Sequence, residues 1–430
     1  MLEKKQIAFF ETKTPLVDAN DWTFRKAKTR ELTHCYHDYP ARMIPQIAGK
    51  LLDLFGHNAN VLFDPYCGTG TSLVEANIRG INSVGTDLNP LAQLIARAKT
   101  TPFCIEDVQD SMTKFNRIAL EDKLSKIKEP QEIYGITNLS FWFKTEVVLS
   151  LLAIRTFIQE IKSDTTRLFF QVAFSETVRE SSNTRNGEFK LYRYSKEKLE
   201  KFSPDVYEIM VKKLQRNFKG AKQYKAIIDN FKSPPFAKIY GFNSSEGIPP
   251  EIFMPESVDL VITSPPYGDS GTTVAYGQYS RLSAAWLELE EPGGIDKKLM
   301  GGNRIQEFSE FPSKTLNKKI EMIRLSNKKR ALEVVSFYED LYDSMKNVAK
   351  VIKPRGYSCY VVGNRKVAGT VLPTDIVIRD FFESFGMKYI ETFTRSIPNK
   401  RMPSKNSPSN KKGILESTMT KEYIVVMQQA

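Results

Sequence analysis

Ser264-Pro265-Pro266-Tyr267 places a hydroxyl, two stiff residues and an aromatic ring in one short stretch. It follows Val258-Asp259-Leu260-Val261-Ile262-Thr263, an apolar run rich in β-branched residues, which predicts a buried strand. The prolines end that strand, because each lacks a backbone N–H and fixes its own φ. In an open α/β sheet the turn then lies at the carboxyl edge, where ligands bind. Such a turn can hold a flat polar ring. Tyr267 stacks on it, while Ser264 Oγ and the Pro265 carbonyl accept hydrogen bonds from an amino group on its edge. Taken alone, the four residues could equally be a stiff exit from the strand.

A second stretch weighs against that plain reading. Val61-Leu62-Phe63-Asp64-Pro65-Tyr66-Cys67-Gly68-Thr69-Gly70-Thr71-Ser72 reads as a strand, then a glycine turn, and a helical pattern follows it. The next strand, Ser83-Val84-Gly85-Thr86, ends on Asp87. This is the layout of a nucleoside-binding α/β unit, with glycines for close backbone approach and an acid for ribose hydroxyls. Gly68-Thr69-Gly70 lacks the third glycine of a dinucleotide fingerprint, and no Gly-Lys-Ser/Thr follows. The pocket suits a nucleoside without a pyrophosphate.

Together the two stretches resemble the amino-group DNA methyltransferases, which methylate cytosine N4 or adenine N6. Asp64–Thr71 looks like their S-adenosyl-L-methionine motif and Thr263–Tyr267 like their catalytic motif. The resemblance covers residues 31–104 and 235–430. It implies a doubly wound, Rossmann-like α/β sheet, S-adenosyl-L-methionine as cofactor and double-stranded DNA as partner. It also implies a cognate restriction endonuclease beside the enzyme. His37-Asp38-Tyr39-Pro40-Ala41-Arg42 matches a proline-rich motif that encloses the methionine part of the cofactor. Tyr39, Pro40, Ala41 and Arg42 therefore join Asp64, Tyr66, Gly68, Thr69, Gly70, Thr71, Asp87, Asn89 and Asn243 as expected cofactor-binding residues. Ser264, Pro265, Pro266 and Tyr267 are the expected catalytic residues. Serine at the first position is the form more typical of N4-cytosine enzymes; adenine enzymes more often have Asp or Asn there.

The turn explains the chemistry. An exocyclic amine has its lone pair delocalised into the ring. Acceptors at Ser264 and Pro265 hold both N–H groups and favour a more tetrahedral nitrogen as the bond to methyl forms. Neither a metal nor a covalent intermediate is needed, and C5-cytosine enzymes would need a cysteine in this turn. A target paired inside a duplex must be flipped into the pocket. N4-methylcytosine is the expected product. An N6-adenine enzyme, an RNA amino-group methyltransferase and a non-enzymatic DNA-binding module are the alternatives. The last accounts for the charge but not for the paired motifs.

These stretches must be held by other elements. Residues 1–30 are polar and read as an arm. Residues 31–104 and 235–430 form the expected catalytic domain, and 105–234 a helical insertion that would help recognise the target. Val147, Leu151, Ile154, Phe157, Ile158 and Ile161 make a core-facing stripe at helical spacing. Arg179, Asn183, Arg185, Lys190 and Arg193 fall in a stretch of arginines, small polar residues and aromatics suited to phosphate and base contacts. A solvated loop has the same composition. Arg281 follows the target turn, and Lys318 and Lys319 belong to a basic run at 313–330. A strand at Tyr357–Val362, a helix at Asp375–Phe385 and a final strand at Tyr423–Val426 complete the sheet. Between the last two, 395–412 reads as a mobile basic loop containing Lys400, Arg401 and Lys405.

Composition agrees. The 430 residues include 27 Phe, enough for a sizeable core, and carry a net charge of +12, which favours a polyanionic partner. The four cysteines show no paired spacing and the three histidines no zinc spacing. No stretch reaches the ~18 apolar residues of a membrane span, and the first residues have no signal-peptide core. A cytoplasmic location is expected. Neutralising Lys400, Arg401 and Lys405 together should flatten the salt dependence of DNA binding by up to about three phosphate contacts. An unchanged slope of log affinity against log salt would remove this segment from the interface.

Overall fold

The computed structural model describes residues 21–120, 132–185, 188, 190–268, 274–290, 294–302, 305–397, 405–406, 416–417 and 419–430. After a 3-10 turn at Leu32–Cys35 come α1 (Pro45–Phe55), β1 (Val61–Asp64), α2 (Thr71–Asn77), β2 (Asn82–Thr86) and α3 (Pro90–Thr100). Six helices follow: α4 (Ile105–Leu120), α5 (Leu139–Trp142), α6 (Thr145–Glu160), α7 (Asp164–Ser181), α8 (Lys196–Lys201) and α9 (Val206–Ile228). The sheet resumes with β3 (Ala237–Tyr240) and β4 (Val258–Thr263), then α10 (Tyr276–Trp286), α11 (Ile295–Lys298), α12 (Lys314–Ser326) and α13 (Lys328–Val351). The chain ends with β5 (Ile352–Val362), the hairpin β6 (Lys366–Val367) and β7 (Thr370–Val371), α14 (Thr374–Ser384), β8 (Lys388–Ser396), the pair β9 (Lys405–Asn406) and β10 (Glu416–Ser417), and β11 (Lys421–Gln428).

Seven strands form one sheet in the order β3-β2-β1-β4-β5-β11-β8. Neighbours from β3 to β5 are parallel, and β11 lies antiparallel between β5 and β8. The order reverses at β1, so β1 and β4 sit side by side with their carboxyl ends together. That is the topological switch point of a doubly wound sheet, the expected architecture.

Both faces of the sheet are covered, which is why central strands such as β4 and β11 read as largely apolar runs. Side chains alternate between the faces. Leu62, Leu260, Ile262, Cys359, Val361, Ile424 and Val426 pack with Ile47, Leu51 and Leu73 on one side. Phe63, Val261, Tyr360, Val362 and Val425 pack with Val334, Leu341 and Phe381 on the other. At Gly85 in β2 a Cβ would come 2.7 Å from Cys67 Cβ, so this glycine lets the turn after β1 fold over β2.

The helices between α3 and β3 share a core with α3 and α10: Phe169, Phe170 and Phe174 of α7 pack with Leu91, Ile95, Leu282 and Trp286. The predicted stripe from Val147 to Ile161 faces this core, with Phe157 partly buried at its margin. Glu176 of α7 fastens the segment leading to α1. Its Oε1 accepts from Asp38 N at 3.1 Å and its Oε2 from Arg216 Nη2 at 2.6 Å, and Arg216 also donates to the Tyr36 carbonyl at 2.7 Å. Burial opposes the charge on Glu176, but His37, Arg216 and Lys213 hold its carboxyl down at about 2.

Three expectations need correction. Arg179 is the last basic residue of α7 and is buried. It donates to the carbonyls of Tyr279 and Glu188 and lies 4.0 Å above the Tyr279 ring, so it cannot reach a phosphate. Asn183 is buried too, its amide donating to the Phe141 carbonyl at 3.2 Å. Arg395 opens no loop: it is a buried residue of β8, a strand whose mixed edge pattern hid it. Lys400 and Arg401 lie outside the described residues, and of Lys405 only the backbone, in β9, is described. No helix among the described residues is long and apolar enough to cross a membrane.

Glu176→Ala leaves Arg216 without its buried partner and should cost about 3–5 kcal/mol of stability. Denaturant unfolding measures this; a loss of under about 1 kcal/mol would mean that the pair is solvated.

Candidate active site

The carboxyl ends of β1, β2 and β4 open into a cavity enclosing about 1140 Å³, its mouth included. Tyr39, Pro40, Ala41, Arg42, Asp64, Tyr66, Gly68, Thr69, Thr71, Asp87, Asn89 and Asn243 all line it, and so do Ser264 and Pro266 of the target turn. Residues from five parts of the sequence therefore share one wall. Gly70 lies just behind, in the left-handed region at φ 71°, where a Cβ would come 3.1 Å from Ala96 Cβ of α3. Gly68, at φ 49°, differs: a Cβ there would meet nothing within 4 Å. Its missing side chain leaves the cavity floor open to a ligand.

Asp64 is buried and already engaged. Oδ2 accepts from the Ser72 hydroxyl of α2, and Oδ1 accepts from Thr263 Oγ1 of β4 at 2.5 Å and from Tyr66 N at 3.1 Å. Burial pushes its carboxyl up to about 6, against these three donors. While it lines the cavity, Asp64 also clamps the two turns to each other. Asp87 accepts from Gly68 N at 3.0 Å and Asn89 N at 2.8 Å. Burial raises it to about 6 as well, with the charge of Asp64 adding to the rise. Two N–H donors leave each oxygen of Asp87 a lone pair for a ligand hydroxyl.

Asn89 caps α3. Its Oδ1 accepts from Leu91 N, and its amide donates to Tyr39 Oη at 2.9 Å and Ser280 Oγ at 3.0 Å. It shapes the wall with no polar group left over. Tyr39 stacks on Tyr276 with ring centroids 5.9 Å apart, and Ala41 beside it sits at φ 48°, unusual for a residue with a Cβ. Arg42 donates to the His34 carbonyl at 3.1 Å. Asn243 forms a tight turn, accepting from Ser245 N and Oγ. Thr69 Oγ1 is buried at the cavity with no protein partner. Cys67 is buried under the glycine turn, and burial raises its thiol well above the usual range, which makes it a poor nucleophile.

Pro265 and Tyr267 are not on the cavity wall. Pro265 is buried behind it, and Tyr267, half-buried, donates from Oη to Glu422 Oε1 at 3.0 Å. Ser264 Oγ lies 3.4 Å from that same hydroxyl. The turn therefore has two sides, with Ser264 between the cavity and the tyrosine. Tyr276, Lys298, Met300 and Asp340 also line the cavity. They come from three distant stretches without a motif, and only Tyr276, one of the aromatics after the target turn, carried any signal.

The residues expected on nucleic acid are scattered. Arg185 and Arg193 are exposed and Lys190 half-exposed on a loop closed by the Thr184–Arg193 bridge. Arg193 lies 4.4 Å above the Phe141 ring. Arg281 is half-buried on α10, and Lys318 and Lys319 lie on α12, with Lys318 exposed. Among the described residues no group of three or more His, Cys, Asp or Glu side chains could hold a metal ion.

Sheet order and glycine turn define a doubly wound, Rossmann-like fold, and similarity to known methyltransferases makes the class an S-adenosyl-L-methionine-dependent methyltransferase. Residues 30–126 match the RMKL-like methyltransferase domain family (UPF0020). The chain is 42% identical to the type II methyltransferase M.MvaI of Kocuria varians, over 94% of its own length and 93% of that protein. It is 21% identical to the type II methyltransferase M.BsoBI of Geobacillus stearothermophilus, over 91% and 86%. A protein of Thermus thermophilus described as a DNA modification methylase, solved with S-adenosyl-L-methionine, is 18% identical over 44% of this chain and 53% of that one, with a TM-score of 0.21. The chain belongs to the type II DNA methyltransferases of restriction–modification systems.

Asp87→Ala should weaken cofactor binding by about 1–3 kcal/mol at neutral pH, the scale of a lost charged hydrogen bond. Below about 6 a proton occupies Asp87, so affinity should fall with decreasing pH, by up to about tenfold per unit. Calorimetry checks both. A pH-independent affinity in the wild type, or no loss in the variant, would take Asp87 off the ribose.

Proposed function

We propose that the chain methylates the exocyclic N4 amine of a cytosine flipped out of duplex DNA, within a short recognition sequence. The observation that carries this is the place of Ser264: a short, neutral hydroxyl on the cavity wall, directly after β4. A longer or charged group there would reach further. A pyrimidine is the smaller base and must sit deeper for its amine to meet the methyl donor. A serine leaves room for that approach.

The residues present fit the cofactor. Gly68 leaves the floor open, Thr69 Oγ1 lacks a protein partner and Asp87 has free acceptor capacity. Asp87 and Asn243 would hold the adenosine part, and Tyr39, Ala41, Arg42 and Thr69 the methionine part. When bound, S-adenosyl-L-methionine would supply an electrophilic methyl group, and the amine that takes it gives up one N–H proton. Ser264 Oγ and the Pro265 carbonyl accept the amine N–H groups, holding the nitrogen where its lone pair can turn toward that methyl group. Pro266 stiffens the turn, and the Tyr267 ring receives the flipped base by stacking.

Arg185, Lys190, Arg193, Arg281, Lys318, Lys319, Lys400, Arg401 and Lys405 would contact DNA, and the helical unit at 105–234 would contribute target recognition. A restriction endonuclease reading the same sequence is the partner that this function implies, in the cytoplasm where the DNA lies.

Nucleoside mass spectrometry of DNA incubated with the protein and labelled cofactor tests the reading. N4-methylcytosine is the expected product. N6-methyladenine alone would overturn the base assignment, and a label found only in RNA would overturn the substrate.

A further inference from the structure

We infer that Glu422 is a positioning residue for methyl transfer: with Arg395 it aims the Tyr267 hydroxyl and so turns Ser264 into an acceptor. This rests on the reading of Ser264–Tyr267 as the target turn. Glu422, on β11, faces the turn from across the sheet, 155 residues away in sequence. Its Oε1 accepts from Tyr267 Oη at 3.0 Å and its Oε2 from Arg395 Nη1 at 2.7 Å. The side chains of Arg395 and Glu422 are only 7% and 15% exposed. A buried ion pair contributes little to stability by itself, because desolvation offsets the attraction. Its standing beside the target turn calls for another account.

Hydrogen-bond direction gives one. An ionised carboxylate only accepts, and a tyrosine has a single O–H. Facing Glu422, Tyr267 must donate, so its oxygen is left to accept from Ser264, whose Oγ lies 3.4 Å away. With its own proton spent on Tyr267, Ser264 presents only lone pairs to the target amine. The same contacts fix the ring. Gly363 at the end of β5 forms the floor under Tyr267: a Cβ there would come 3.0 Å from Tyr267 Cδ2 and collide with Met419.

A double-mutant cycle tests this. Tyr267→Phe removes only the hydroxyl, and Glu422→Gln removes the obligate acceptor. Each should lower kcat by roughly 10- to 100-fold while the Kd for S-adenosyl-L-methionine stays within about twofold. The double variant should be no worse than the poorer single one, because both break the same relay. Additive losses, or wild-type kcat in either single variant, would overturn the inference. Glu422→Gln leaves Arg395 uncompensated, so Glu422→Met with Arg395→Met replaces the whole pair by apolar groups. It should fold, by circular dichroism, yet stay impaired in kcat; wild-type kcat in that variant would also overturn the inference. Tyr267→Ala separates the two readings. If it keeps wild-type turnover, the target turn itself is misassigned. If it is inactive while Tyr267→Phe and Glu422→Gln are normal, only the role of Glu422 falls.

Discussion

The contact between Asp64 and Thr263 holds the two halves of the site together. β1 brings the glycine turn and β4 the Ser264–Tyr267 turn, and parallel pairing alone fixes only their backbones. The Asp64 carboxylate ties both turns to one point, accepting from Ser72 at the start of α2 and from Thr263 at the end of β4. Methyl transfer is sensitive to displacements of an ångström, because reacting atoms must already be near attack distance. Three donors around one buried carboxylate keep cofactor floor and Ser264 from sliding independently. The cost is visible in the raised carboxyl. A folded-state value of about 6 lies above the ordinary 3.8, so ionised Asp64 opposes folding above that pH, and the penalty fades as the pH falls toward the ordinary value.

This clamp shows where the sequence was readable and where it was not. The central strands were legible because both faces of the sheet are covered there and their apolar runs are nearly unbroken. Leu260, Val261 and Ile262 alternate between two cores, yet all three look alike in sequence. The turns were legible because prolines and glycines can do little else there. The clamping by Asp64 was not legible. Next to a glycine turn an acid suggests a ligand, and nothing local points to Thr263, 199 residues away, as a further partner. Asp87 kept its expected place because its partners, Gly68 and Asn89, are backbone donors that a strand end must meet anyway.

Composition misled most where charge was concerned. Arg179 looks like a phosphate ligand beside Glu180-Ser181-Ser182, but α7 continues to Ser181 and turns it inward. β8 reads poorly as a strand because its exposed positions carry Lys388, Glu391, Thr394 and Ser396, and its one buried residue is a charged one, Arg395. In both places an arginine that reads as a solvent-facing cation is an internal tie. Net charge speaks of the partner and not of which cations meet it.

Such ties also join the helical unit to the cavity wall. Tyr39 of the wall stacks on Tyr276 and meets Tyr279 edge-on, and Tyr279 donates to the Asp38 carbonyl. Arg179 lies on the Tyr279 ring and donates to Glu188 in the loop that carries Arg185 and Arg193. That loop is closed at its base by backbone pairs, Arg185 N to the Tyr192 carbonyl at 2.8 Å and Tyr194 N to the Asn183 carbonyl at 2.9 Å. The exposed arginines are thus connected to the cofactor wall through buried rings and one buried guanidinium, with no solvated side chain in between. The loop and the cavity wall are therefore packed against the same set of rings, so a change at Tyr279 would be felt at both.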